Sequence, residues 1–240
     1  MRKVLVVKTG CAPPEIAAAR GDFEHWIAAR LDRPALETAV VDVVAGETLP
    51  DWAAIDGVVI TGSAAMVTDR LPWSEALGQW LVTGVTRERP ILGICYGHQL
   101  LAQALGGRVD WNPKGREIGT AEVELLPAVR DDLLFGKMPR RLIVQETHRE
   151  SVVALPESAV RLGANPHDPY QVVRFGRRAW GVQFHPEFDA EVSAAYLDVR
   201  RAELVEEGLD AQALSDQVAD SGHGSGLLAE FADLVERSIP

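Results

Sequence analysis

The sequence predicts an α/β fold built on an open, twisted and mostly parallel sheet flanked by helices. Short β-rich apolar runs at Val4–Val7, Val40–Val44, Gly57–Ile60 and Ile91–Ile94 alternate with longer helical patterns through the first half of the chain. This order is typical of parallel strands joined by helical crossovers. With 240 residues, 47% of them hydrophobic, the chain can build one full core, so we expect a single domain over residues 1–240.

The helices of the first half follow from the spacing of apolar residues. The segment from Pro14 to Leu31 begins with prolines and has apolar side chains three and four positions apart. The segments Trp73–Val85 and Gln99–Leu105 show a similar pattern. Because these segments lie between or directly after the predicted strands, we expect their helices to cover the faces of the sheet.

The second half changes character after about residue 108. Strand-like segments at Thr120–Leu126, Leu142–Gln145, Ser151–Leu155 and Gln171–Phe175 are separated by glycine, proline and charged residues. This change to strand-like segments with such breaks predicts antiparallel additions to the sheet.

The last part of the chain is predicted to be a helical C-terminal extension over residues 190–240. Helical patterns cover Ala190–Glu207, Gln212–Val218 and Leu227–Val235. The Gly/Ser-rich segment Asp220–Gly226 between the last two is predicted to be a loop.

Charge and composition exclude several classes of partner. The chain has 24 basic and 35 acidic residues, and its net charge of −11 repels nucleic-acid phosphates and anionic lipid. No segment approaches the ~20 apolar residues of a membrane-spanning helix. The first apolar run is too short for a signal peptide, and two cysteines, Cys11 and Cys95, cannot form a disulfide framework. We expect a cytoplasmic protein without nucleic-acid or membrane partners.

Cys95 lies where a predicted strand turns into a predicted helix. The segment Gly93-Ile-Cys-Tyr-Gly97 has glycines on both sides, which let the backbone bend sharply and expose the thiol, as in a G-x-S-x-G nucleophile elbow. The positive end of the following helix favours the thiolate, and its free N–H groups are donors for an oxyanion. Cys95 is therefore predicted to be a nucleophile rather than an inert core cysteine.

A base for this thiol is predicted at His185. It directly follows the apolar strand Trp180–Phe184, so it emerges at a strand end. Pro186 breaks the strand, and Glu187 can turn back to hold the imidazole tautomer. Since an amine leaves poorly without a proton, the set Cys95, His185 and Glu187 is suited to cleaving an amide.

Three segments resemble the class I glutamine amidotransferases. Gly93–Gln99 (GICYGHQ) is similar to the family's nucleophile motif, Val182–Glu187 (VQFHPE) to its His/Glu motif, and Ile60–Ser63 (ITGS) to its oxyanion segment. Together they span most of residues 1–190 in the family's order. The resemblance implies a flavodoxin-like amidotransferase architecture and cleavage of the glutamine γ-amide through a γ-glutamyl thioester.

The resemblance also implies further site residues. The backbone N–H groups of Gly62 and Tyr96 would form the oxyanion hole, and Gln99 would contact the bound glutamine. The segment Gln145–Ser151 fills the place of the family's substrate-binding backbone, which implies binding roles for Thr147 and His148.

Two departures from the family pattern bear on the substrate. His98 stands where relatives more often have methionine, and Arg149 and Glu150 stand where biosynthetic relatives often have small residues. The segment around His148 is also similar to that of stand-alone members, some of which are γ-glutamyl peptidases. The substrate is therefore predicted to be glutamine or a γ-glutamyl small molecule.

Three functional hypotheses remain open at this stage. The chain is a glutaminase that passes ammonia to a partner synthetase, an independent γ-glutamyl hydrolase, or a catalytically silent scaffold. The complete triad argues against the scaffold. The sequence has no phosphate-binding G-x-x-x-x-G-K-[ST] loop and no C-x-x-C or H-x-x-x-H pair, so neither a cofactor nor a metal is predicted.

Overall fold

A computed structural model describes residues 1–220 and 222–237, which form a central nine-stranded sheet and a separate two-stranded sheet. The strands are β1 (Arg2–Lys8), β2 (Leu36–Asp42), β3 (Gly57–Ile60), β4 (Ile91–Ile94), β5 (Arg108–Trp111), β6 (Glu117–Leu125), β7 (Arg141–His148), β8 (Glu150–Ala154), β9 (Val160–Ala164), β10 (Val172–Gly176) and β11 (Ala179–Val182). The helices are α1 (Pro14–Arg20), α2 (Phe23–Leu31), α3 (Pro72–Thr86), α4 (Tyr96–Ala104), α5 (Ala190–Val199), α6 (Arg201–Glu206), α7 (Ala211–Asp216) and α8 (His223–Glu236).

The order of the large sheet is β2-β1-β3-β4-β11-β10-β9-β6-β7. The first five strands pair in parallel, and the remaining pairs are antiparallel. β5 pairs with β8 in the small sheet. The predicted parallel sheet with antiparallel additions is confirmed. Because β1, β3, β4 and β11 all end at the same edge, the loops that follow them converge there.

Helices cover both faces of the sheet, as predicted. On one face, α2 and α8 pack Ile27, Leu31, Leu228 and Phe231 against β1 residues such as Val4. On the other face, α3 and α4 pack against the same strands through a second apolar cluster. α8 is therefore part of the main core, which a peripheral tail would not be.

The predicted helix from Pro14 to Leu31 is wrong as a single element. The structure breaks it into α1 and α2 at Gly21, whose φ of 84° lies in the left-handed region. Asp22 then caps α2: its carboxylate accepts hydrogen bonds at the helix start while the His25 side chain accepts from the Asp22 N–H.

Other boundaries also differ from the prediction. β2 ends at Asp42, and Val44 lies beyond it, 52% exposed, because a turn follows the strand. The helix predicted over Ala190–Glu207 is two helices that meet at Arg200. The loop predicted over Asp220–Gly226 is wrong from His223 onward, where α8 begins; its residue 221 lies outside the described residues.

Two strands, β5 and β9, were not predicted. β5 has a single buried side chain, Val109, and β9 includes Gly163 at a close approach to Val172. Both alternate apolar residues with other residues, but over only four positions in β5 and five in β9. None of the helices in the described part of the chain is long and apolar enough to cross a membrane.

Candidate active site

Cys95 occupies a strained turn between β4 and α4. Its φ is 49° and its ψ is −100°, a backbone conformation that non-glycine residues rarely adopt. Gly93 and Gly97 make this turn compact, because a Cβ on Gly93 would lie 2.5 Å from the carbonyl oxygen of Gly97. The glycines predicted to bend the backbone are thus required by the close approach of the strand to the helix.

The imidazole of His185 is held firmly in place. Its Nδ1 lies 2.8 Å from Oε1 of Glu187, and both side chains are buried. Its backbone N–H donates to the carbonyl of Gln145, and the ring of Phe188 stacks on it with 4.2 Å between centroids. Because Glu187 occupies Nδ1, Nε2 is the ring nitrogen available to Cys95.

The charges of Cys95 and Glu187 control the protonation of His185. Burial by itself disfavours the imidazolium, but the carboxylate of Glu187 and the thiolate of Cys95 outweigh it and raise the pKa of His185 to about 10. At neutral pH the imidazole is therefore protonated when the thiol is ionised. The arrangement can keep a thiolate and a proton donor side by side.

Gly62 lies directly against the imidazole of His185. A Cβ at this position would lie 2.7 Å from Cε1 of His185, so any other residue would displace the ring. Neither the Gly62 N–H nor the Tyr96 N–H donates a hydrogen bond within the described residues. The hydroxyl of Thr9 donates to the carbonyl of Thr61 at 3.0 Å, which fixes the peptide group that contains the Gly62 N–H.

Gln99 and the segment around Thr147 line the cleft beside Cys95. The Gln99 amide donates to the carbonyl of Glu150 at 2.7 Å and to Gln183 at 3.1 Å. The carbonyl oxygen of Thr147 lies 4.0 Å from Sγ of Cys95. Both residues therefore lie beside Cys95, Thr147 through its backbone carbonyl.

His148 also borders the cleft, but its ring is engaged by the protein. Nδ1 lies 2.9 Å from the carbonyl of Glu150, and Nε2 lies 3.0 Å from a carboxylate oxygen of Glu117. Its side chain is 1% exposed. His148 can therefore shape the cleft through its backbone and position, while its imidazole belongs to a buried network.

The buried network includes a carboxyl group that resists ionisation. Burial and then the nearby charges of Glu117 and Asp168 raise the pKa of Glu146 well above its usual range. The ligand atoms of Glu117, Glu146 and His148 lie within 4.8 Å of one another, a spacing that could hold a metal ion. However, Gln171 also donates to Glu117, so protein donors already satisfy that carboxylate.

His98, one residue from Gln99, lies outside the cleft. It is fully buried, and its ring packs against Phe175 and close to Gly181. Burial lowers its pKa to about 3, so the ring is uncharged at neutral pH. The presence of His98 where relatives more often have methionine therefore affects the packing beneath the elbow of Cys95.

Arginines border the cleft on the side away from the sheet. Arg116 donates to Glu203 and, through two nitrogens, to Glu207. Arg200 donates to Glu203 and lies over the ring of Tyr196. Arg149 stacks on Trp111 at 5.2 Å and forms no ion pair with a carboxylate of the described residues.

Sequence reasoning did not assign site positions to Thr9, Arg116 or Arg200. Thr9 follows β1, and its place at the carboxyl edge of the sheet was a usable signal. Arg116 and Arg200 carry no such signal, because they reach the cleft only through the packing of α5 and α6 against the second half of the sheet.

The comparisons with known proteins identify the family. The model of the family described as glutamine amidotransferase class-I matches residues 19–199. The chain therefore belongs to the class I glutamine amidotransferases, as its motifs predicted.

Three individual matches are informative. A glutamine-hydrolysing GMP synthase of Aeropyrum pernix is 34% identical over 171 residues, which are 70% of this chain and 31% of that protein. Gamma-glutamyl peptidase 5 of Arabidopsis thaliana is 30% identical over 60% of this chain and 58% of its own length. The crystal structure of a glutamine amidotransferase from Thermotoga maritima superimposes with a TM-score of 0.77 at 24% identity and covers 99% of each chain. The chain thus spans less than two thirds of the first two relatives, and the third match supports the fold.

Proposed function

We propose that the protein is a cysteine-dependent amidohydrolase that cleaves the γ-amide bond of glutamine or of a γ-glutamyl compound. The observation that carries this proposal is the strained elbow of Cys95 beside an imidazole whose Nδ1 is held by Glu187 at 2.8 Å. A buried histidine with a raised pKa next to a thiol is suited to acyl transfer.

In the first step, the Cys95 thiolate attacks the γ-carbonyl carbon. The carbonyl oxygen becomes negatively charged, and in this scheme the N–H groups of Gly62 and Tyr96 stabilise it. His185 then gives its proton to the nitrogen, so the C–N bond breaks and ammonia or an amine departs. A γ-glutamyl thioester remains on Cys95.

In the second step, His185 removes a proton from water as the water oxygen attacks the thioester. The C–S bond breaks, and glutamate and the thiolate are released. Glu187 keeps the imidazole in one orientation through both proton transfers. No step requires a metal or an organic cofactor.

In the proposed mechanism, one side of the cleft holds the leaving group and the other side holds the glutamyl chain. His185 must face the leaving nitrogen, so the glutamyl chain extends the other way, toward Gln99 and Arg149. The unpaired guanidinium of Arg149 is suited to the α-carboxylate of that chain. This explains a cation at a position where biosynthetic relatives often have a small residue.

Similarity to proteins named GMP synthase favours a partner that accepts ammonia. The chain spans only 31% of the A. pernix protein. We therefore propose transfer of ammonia to a separate synthetase as one form of the function. In that case glutamine hydrolysis would accelerate when the synthetase is added. A γ-glutamyl hydrolase would instead reach its full rate alone.

The test is release of ammonia and glutamate by the purified chain, compared with Cys95→Ala. We expect the substitution to lower the rate by about a thousandfold or more, because triad members act as a unit. A glutamine-like electrophile should label Cys95 while Cys11, the other free cysteine, serves as an internal control. Full activity of Cys95→Ala would refute the mechanism.

A further inference from the structure

A second space lies next to the cleft, on the side of the His185 imidazole. This chamber of about 230 Å³ is bounded by Cys11, Pro13, Phe23 and Tyr196, among others. Ser63, Ala64, Thr147 and Arg200 border both this chamber and the part of the cleft next to Cys95 and Gln99. The two spaces are therefore adjacent.

The chamber lies on the leaving-group side of the reaction. His185 borders it, and His185 is the residue proposed to protonate the departing nitrogen. A group carried by that nitrogen can therefore extend into the chamber. Ammonia is about as large as a water molecule, whose share of liquid volume is ~30 Å³. Glutamine thus requires only a small part of this space.

The walls of the chamber define the chemistry of its occupant. Phe23 and Tyr196 form a buried aromatic floor, and Ala12 and Pro13 add apolar surface at the side. A γ-glutamyl amine with an apolar side chain would bury that side chain here.

Arg200 supplies a permanent cation to the wall of this chamber, which also includes the side chains of Ser63 and His185. One of its terminal nitrogens donates to Glu203, whose carboxylate also accepts from Arg116. Its Nε has no acceptor among the described residues. A carboxylate entering the chamber could accept from the Arg200 guanidinium, which favours planar, paired contacts with such groups.

We propose that this chamber is a subsite for an amine that carries both an apolar side chain and a carboxylate, so that the substrates are γ-glutamyl amino acids or peptides. The inference rests on the proposed amidohydrolase function. The reaction consumes one water: the γ-carbonyl to nitrogen bond breaks, a carbon to oxygen bond forms through the Cys95 thioester, and the amino acid leaves with the proton from His185.

The first experiment compares three substrates of the purified chain: glutamine, γ-glutamyl-leucine, and the γ-glutamyl amide of isoamylamine. The amide has the same side chain as the leucine compound but lacks its carboxylate. We expect kcat/KM to be highest for γ-glutamyl-leucine, lower for the isoamyl amide and lowest for glutamine. Turnover of glutamine without turnover of γ-glutamyl-leucine overturns the subsite and leaves the proposed function intact. Turnover of none of them, with Cys95 unlabelled, overturns both.

Two substitutions then test the walls. Arg200→Met should lower the ratio of kcat/KM for γ-glutamyl-leucine to that for the isoamyl amide by about tenfold, the effect of one charge-assisted hydrogen bond. Cys11→Trp adds bulk at the exposed mouth and should lower the ratio of γ-glutamyl-leucine to glutamine by about as much. Leu133→Trp, at a 54% exposed position in the β6–β7 connection, is the control for added bulk and should not change this ratio.

If Arg200→Met lowered kcat/KM equally for all three substrates, Arg200 would act on the glutamyl side of the cleft. This result would overturn its assignment to the leaving-group chamber. An unchanged ratio in Cys11→Trp would overturn the chamber itself. Both variants should be compared with the wild type by thermal unfolding, so that a loss of folded protein is not read as a loss of binding.

Discussion

Burial and charge act on His185 in opposite directions. Burial favours the neutral ring, while Glu187 and the Cys95 thiolate favour the imidazolium and prevail, raising its pKa to about 10. A group with a raised pKa keeps its proton through neutral pH and loses it as the pH rises through the folded-state value. The proposed proton donor is therefore lost on the alkaline side, and we expect activity to persist well above pH 7.

Glu187→Gln should move this alkaline limit to lower pH. The amide keeps the shape of the side chain but removes the negative charge that raises the pKa of His185. We expect kcat/KM to fall by about ten- to a hundredfold and its alkaline limb to shift downward, measured with glutamine and γ-glutamyl-leucine over a pH series. Glu191→Gln, a charge removal at an exposed site in the next helix, should leave the limb in place. An unshifted limb in Glu187→Gln would contradict the assignment.

The residues at the site differ in how far the sequence could predict them. Cys95, His185 and Glu187 are marked by local patterns, a glycine-flanked strand end and a proline-broken strand, and the structure brings them together. Thr9 and Arg200 depend on which elements become neighbours in space. Thr9 meets the oxyanion segment because β1 pairs with β3, and no local pattern contains that pairing.

Among the elements, the β4–α4 elbow depends most on close packing. A Cβ on Gly97 would lie 2.7 Å from Cβ of Ile60 at the end of β3. The helix start can therefore approach β3 only without a side chain at this position. This contact brings the elbow of Cys95 next to the segment that contains Gly62.

Gly97→Ala should disturb both stability and activity. The added methyl must push α4 away from β3, an overpacking that typically costs about 1–3 kcal/mol. We expect a lower midpoint of urea unfolding and a fall in kcat, because the displacement separates Tyr96 from Gly62. Wild-type kcat in a variant of unchanged stability would show that the elbow tolerates the displacement.

The bounds of strands were predicted most accurately where every residue of the strand is buried. β3 and β4 have the predicted bounds because all four residues of each are buried in an apolar run. The break between α1 and α2 was missed because the apolar spacing continues across Gly21 and Asp22. At this break, the left-handed conformation of Gly21 and the capping side chain of Asp22 outweigh the apolar periodicity. In the sequence, each of these two signals is a single residue.

For the whole molecule, the start of the C-terminal helix α8 lies against the turn that follows β11. α8, which falls within the predicted helical C-terminal extension, packs its apolar face into the main core and begins next to the turn of His185 and Glu187. A Cβ on Gly224 would lie 2.6 Å from the carbonyl oxygen of Pro186. The C-terminal helix thus packs against the turn that contains His185 and Glu187, through a close backbone contact that sequence periodicity does not record.

Gly224→Ala should therefore lower kcat by about tenfold with little change in KM, because the methyl displaces the turn that orients His185 without touching the cleft walls. Gly226→Ala is the matched control: the same helix, the same substitution, and nothing within 4 Å of the added Cβ. It should stabilise the protein by up to ~1 kcal/mol, since alanine favours helix over glycine, and leave kcat unchanged. The measurements are kcat and KM with thermal unfolding for both variants. If Gly224→Ala retained the kcat of Gly226→Ala, the C-terminal helix would contribute stability alone, and the position of the catalytic turn would be set entirely by β11 and its neighbours.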